Sequence, residues 1–116
     1  MLQVMLRWNA RMLTERKGKR LRLDLRVEFD VLNEDHTLAW RGEGRLHDLS
    51  PGGCAFYCER DVSVGNRVHV RIFLKGELAE KFHHTELNAR GAVVRSIHES
   101  DRYLLSVRFL PAKSGD

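Results

Sequence analysis

The sequence predicts an all-β fold, a six-stranded antiparallel barrel preceded by a short N-terminal amphipathic helix. Three observations lead there: unbroken two-residue alternation from Leu21 to Val31, recurrence of similar segments to a total of about six, and links that are mostly short and rich in turn residues. Short links make neighbouring strands antiparallel. Strands with no helix between them are most economically closed into a barrel, because closure removes the exposed edges. At 116 residues the chain holds one domain with a real core, and its 42% hydrophobic and 31% charged content describes a globular protein. The expected organisation is a helical extension over residues 1–14, the barrel over 15–111 and a tail over 112–116.

Each element follows from its pattern. Leu2, Met5, Leu6, Met12 and Leu13 fall near one face at helical spacing. Such a helix can pack over one end of the barrel or against a copy of itself, which leaves a homodimer open. A cationic interfacial helix with Trp8 at the boundary is the sharper alternative. In the first strand Leu21, Leu23, Leu25, Val27, Phe29 and Val31 alternate with Arg22, Asp24, Arg26, Glu28 and Asp30, one dry face and one wet. Leu38, Trp40 and Leu46 share a parity in the second strand, where Gly42 and Gly44 permit a bend or bulge. Cys54 to Cys58 forms the third. Val68, Val70, Ile72 and Leu74 mark the fourth, Leu87, Ala89, Gly91 and Val93 the fifth, and Tyr103, Leu105, Val107 and Phe109 the sixth. Turn chemistry separates them at 33–35, 50–53, 64–66 and 99–101. The longest link, Lys75 to Glu86, has room for a helical turn.

The net charge of +4 is concentrated at one end. Residues 1–30 hold eight Lys/Arg against four Asp/Glu, and the remainder is balanced. A basic run beside a neutral domain implies an anionic partner met at one place, unless it is simply a solvated tail. No stretch approaches the roughly 18 apolar residues of a spanning helix. Arg7 and Arg11 interrupt the apolar start, and no small-residue cleavage pattern follows, so a cytoplasmic location is expected. Cys54 and Cys58 read as small apolar fillers kept reduced. Four residues of extended chain hold their α-carbons about 13 Å apart, beyond disulfide reach.

Two short motifs bear the chemistry. Arg16 and Arg20 bracket a cationic Arg-x-x-x-Arg segment, and Asp48, Ser50 and Gly53 form Asp-x-Ser-x-x-Gly at a turn. Paired guanidinium forks can grip phosphates or the O6/N7 edge of guanine, while a carboxylate, a hydroxyl and bare backbone line the opposite wall. Together they read as a receptor for a doubly anionic guanine nucleotide.

With a closing Gly91–Arg95 segment and Leu105–Phe109, the order and spacing of these motifs resemble the PilZ domain family over roughly residues 15–110. The resemblance implies a six-stranded antiparallel barrel that binds cyclic di-GMP and relays its presence to an effector protein. It assigns Arg16 and Arg20 to guanine edges and phosphates, and Asp48 and Ser50 to the guanine donors or nearby oxygens. Gly53 would let backbone approach the ligand or take a positive φ, with Gly52 sharing that work. Glu15 stands where many members have another arginine, and Ser106 where glycine is frequent. Gly18 should leave the arginine loop mobile until ligand pins it and re-aims the preceding helix.

Other candidates carry bland readings: His83 and His84 as a solvated loop pair without a third metal ligand, His47 as an outward strand residue, His69 as exposed, Trp40 as core. Neither a metal nor a cofactor is called for. No Ser/His/Asp arrangement, Walker loop or dinucleotide fingerprint appears, so an enzyme is the least supported class. Two alternatives to the receptor stand: a PilZ-like interaction module with a dormant nucleotide site, and a basic barrel for RNA or single-stranded DNA. Polynucleotide is not expected as a partner, because Phe29, Trp40, Tyr103 and Phe109 all share the apolar parity and would leave no stacking face.

Overall fold

Six strands close into one antiparallel barrel in a computed structural model that describes residues 24–111. They are β1 (Arg26–Leu32), β2 (Leu38–Ser50), β3 (Gly53–Cys58), β4 (Arg67–Phe73), β5 (Glu86–Glu99) and β6 (Arg102–Phe109), with α1 (Glu77–Phe82) between β4 and β5. Around the barrel the order is β1-β2-β3-β6-β5-β4, every pair antiparallel. The expected closed barrel is therefore present. The amphipathic helix over 1–14, the strand residues Leu21 to Leu23 and the tail over 112–116 lie outside the described residues.

Alternation builds the core. Val27, Phe29 and Val31 of β1, Val68, Val70 and Ile72 of β4, and Leu105 and Val107 of β6 are all buried in one cluster with Phe56, Leu46 and Val93. Phe29 touches both Phe56 and Trp40, with ring centroids 4.9 and 5.6 Å away. Gly42 is the companion of that packing: a β-carbon there would sit 2.5 Å from the Phe29 ring. The expected helical turn in the 75–86 link is α1, whose Phe82 is buried against the core. Its end turns on His83, which takes a left-handed φ of 57°.

One polar-parity residue of β1 departs from the wet-face expectation. Asp30 is only 9% exposed, since its carboxylate receives Arg71 Nη1 and Nη2 at 3.1 and 3.0 Å and Arg41 Nε at 3.1 Å. The registers explain the meeting, because Asp30 faces Arg41 on β2 and lies two residues along β1 from Glu28, which pairs with Arg71 of β4. The Arg71 hydrogen bonds, set against the cost of burial, hold the Asp30 carboxyl below its ordinary range. Nearby His69 is half-buried rather than exposed, and burial, with Arg71 adding to it, lowers its pKa.

The two cysteines are free and buried. Burial pushes the Cys54 thiol up to about 12, which suits a small apolar filler. No helix among the described residues is long and apolar enough to cross a membrane.

Candidate functional site

The sequence parity of β2 would send Asp48 inward with Leu46. The structure instead contains a bulge against β3 between Leu46 and Asp48, with His47 as the extra residue. A single inserted residue exchanges the faces of everything beyond it. Leu46 pairs with Phe56 and Leu49 with Cys54, all four in the core, while Asp48 opposite Ala55 and Ser50 opposite Gly53 are turned to the outer face. The bulge thus falls at His47 and not at Gly42 or Gly44, where the glycine content had suggested it. His47 itself is half-buried and meets the edge of the Tyr57 ring at 5.3 Å.

A second bulge does the same on β5. Parity there would bury Arg95 with Val93, but the register with β6 shifts between Val93 and Arg95. Val93 remains in the core opposite Val107, and Arg95 emerges opposite Ser106. Val94, the extra residue, is left exposed. Following the pairs across the sheet gives an outer row Asp48, Ala55, Ser106, Arg95. The next row is Ser50, Gly53, Arg108, Ala92. With strands about 4.8 Å apart, Asp48 and Arg95 stand roughly 14 Å from one another across three strand intervals. Between them the outer side chains are small.

Sequence reasoning found Asp48, Ser50 and Gly53 but missed Arg95, Ser106 and Arg108 as members of this face. Arg108 was legible, because it alternates with Leu105, Val107 and Phe109 on the wet side. Arg95 was not, since its parity is apolar until the bulge is known. Arg16 and Arg20, the cationic half of the predicted site, lie outside the described residues.

The motif residues also have structural work. Ser50 Oγ donates to the Gly53 carbonyl oxygen at 3.3 Å, closing the Pro51–Gly52 turn. The Phe109 N–H donates to the Gly52 carbonyl at 2.9 Å, tying the turn to β6. The positive-φ expectation for Gly52 and Gly53 is corrected, for the left-handed glycines among the described residues are Gly65 and Gly76. Gly53 is needed for another reason: a β-carbon would collide with the Val107 carbonyl oxygen, so its bareness lets β3 approach β6. Gly52 faces open space. Asp48 is buried, at 9% exposure.

A concavity of about 870 Å³ opens elsewhere, around Trp40, Arg45, Tyr57, Arg60 and Arg102. Neither Asp48, Ser50 nor Gly53 lines it. Among the described residues no cluster of His, Cys, Asp and Glu could hold a metal. His83 and His84 are both exposed after α1.

Fold and face together define a small antiparallel barrel that carries its polar groups on an outer turn and on the strands beside it. The PilZ domain model matches residues 14–116, and the chain belongs to the PilZ domain family. Members of this family generally serve as cyclic di-GMP receptors. Among solved structures, the chain is similar to the PilZ domain of CeSA from a cellulose-synthesizing bacterium, at 22% identity over 81% of this chain and 83% of that one, with a TM-score of 0.50. It is also similar to the PilZ domain of YcgR from Escherichia coli, solved with c-di-GMP, at 17% identity over 83% and 79%, TM-score 0.50. At such identities the likeness is one of fold. No curated protein matches the chain.

Proposed function

We propose that this chain is a non-enzymatic cyclic di-GMP receptor whose ligand lies on the outer face at the β2–β3 turn. One observation carries the reading: the bulge at His47 turns Asp48 and Ser50 outward together, onto the face that Arg95 and Arg108 share. Family membership and the ligand named for the YcgR domain point the same way. Asp48 accepts from guanine N1–H and N2–H2, a donor pair that adenine does not offer in that arrangement. Arg16 and Arg20 close over the phosphates and guanine edges from the N-terminal side, a bidentate role that lysine could not fill. Arg95 and Arg108 add positive charge to the same face. Capture of the ligand draws the Arg16–Arg20 segment onto the barrel and redirects residues 1–14 toward an effector protein in the cytoplasm.

Isothermal titration with cyclic di-GMP, using GMP and cyclic di-AMP as controls, tests the reading. Saturable binding at micromolar affinity or tighter, worth about 8 kcal/mol or more, is expected and should vanish in Arg16→Ala or Arg20→Ala. No saturation with folded protein would refute it. Unchanged hydrogen exchange over residues 1–20 at saturating ligand would refute the relay. A second reading, the interaction module with a dormant site, draws on the structural tasks of Ser50 and Gly53, which justify those residues without any ligand. It requires a partner bound equally with and without nucleotide.

A further inference from the structure

β2 is longer than its neighbour β3. Its pairing with β3 begins only at Gly44 opposite Cys58, while its pairing with β1 runs on to Leu38. The overhang Leu38–Glu43 spans about 20 Å and has β1 on one edge and, among the described residues, no strand on the other. The Leu46 N–H donates to the Leu25 carbonyl on the β1 side at 2.7 Å. Backbone groups alternate direction along a strand, so the N–H and C=O of Arg41, five residues earlier, point away from β1 into the lane that β3 has left. An open strand edge is a template for another strand.

The walls of that lane are the 870 Å³ groove. Five arginines line it against three carboxylates, Glu43, Glu59 and Asp101. Arg26 is taken up by Glu28 and Glu43 at 2.6 Å each, and Arg41 by Asp30. Among the described residues no carboxylate lies within ion-pair distance of Arg45, Arg60 or Arg102. Two of these are pre-positioned: the Arg60 guanidinium lies 4.0 Å over the Trp40 ring, and that of Arg102 lies 3.7 Å over Tyr57. Stacked this way, a guanidinium keeps its N–H fork in the plane of the stack, ready for a carboxylate.

We infer that this groove receives an extended acidic segment of a partner protein, added as a strand beside Leu38–Glu43, with its carboxylates held by Arg60, Arg102 and Arg45. The chemistry selects against other occupants. A nucleobase would need an open aromatic face, and those of Trp40 and Tyr57 already carry guanidiniums. Residues 1–23 of this chain, with seven Lys/Arg against one Asp/Glu, would be repelled by the arginines. A second copy pairing edge to edge about a two-fold axis near the middle of the overhang would set Arg41 against its own counterpart. The inference does not depend on the nucleotide reading, for the groove and the Asp48 turn lie on different parts of β2.

The test uses the whole chain and a fluorescein-labelled nine-residue peptide alternating Glu and Val. Saturable anisotropy is expected, together with slowed exchange and a chemical-shift change at the Arg41 amide. Affinity should fall about tenfold or more, roughly 1.4 kcal/mol, in Arg60→Gln/Arg102→Gln. A peptide with Lys for Glu should not bind, and one with central Pro should bind at least about tenfold more weakly, because Pro cannot complete the ladder. Binding should persist in Asp48→Asn and with cyclic di-GMP added. Absence of saturable binding, equal binding of the Pro peptide, or self-association abolished by Arg41→Pro would each overturn the inference.

Discussion

Alanine at Gly53 and alanine at Gly52 should behave as opposites although the two glycines are adjacent. At Gly53 the new methyl would land on the Val107 carbonyl oxygen and lie 3.3 Å from Arg108 Cα, both of them main chain. Backbone cannot rotate aside as a side-chain tip can, so β3 and β6 must separate where Gly53 pairs with Arg108. Overpacking by one methyl costs about 1–3 kcal/mol, and a main-chain obstacle places this case near 3 kcal/mol. For a domain near a hundred residues each kcal/mol lowers Tm by roughly 4–8 °C, giving a drop of about 12–24 °C. At Gly52 nothing lies within 4 Å and φ is not left-handed, so alanine there should alter stability by less than about 0.5 kcal/mol. Thermal unfolding followed by circular dichroism measures both. If Gly53→Ala melts with the parent protein yet loses nucleotide binding, the packing argument is wrong and Gly53 serves ligand clearance.

Asp30→Asn should cost about 1–3 kcal/mol in urea unfolding, because Arg71 and Arg41 would lose a charged acceptor. The folded Asp30 pKa is lowered, so its contribution is fully present above the unfolded value near 3.9. Parent stability should therefore fall as pH drops from about 4 through the folded pKa, while Asp30→Asn shows less of that loss. With its thiol raised to about 12, Cys54 should resist iodoacetamide at pH 8 until the barrel opens; fast labelling of the native protein would contradict its placement. Arg95→Glu and Arg108→Glu should each weaken cyclic di-GMP binding about tenfold while leaving Tm within about 2 °C, as titration and melting on the same samples would reveal.

The barrel was legible in the sequence because most of its strands have one wet and one dry face, a contrast that writes itself as alternation; β3, buried along nearly its whole length, was legible only from the turns around it. Val27, Phe29 and Val31 against Arg26 and Glu28 could hardly be read otherwise. The same rule failed at Asp48 and Arg95. A bulge adds a residue without changing the kind of residue, so His47 and Val94 leave no compositional mark, and parity counted through them gives the wrong face. The Asp-x-Ser-x-x-Gly motif was found by its turn chemistry, but the reason for Gly53 was hidden: the carbonyl it accommodates belongs to β6, more than fifty residues away. Asp30 shows the complementary limit. A carboxylate on the wet parity became buried because two arginines from different neighbours converge on it, an event of register and not of local sequence.

The twin bulges make the outer polar face a matter of chain length. Every substitution at His47 keeps the count of residues and so keeps Asp48 outside; deleting that one position would exchange faces, driving the carboxylate inward and Leu49 into water. Variation among such barrels could therefore acquire or discard this face through single-codon insertions and deletions, changes that a scan of point mutants would never visit.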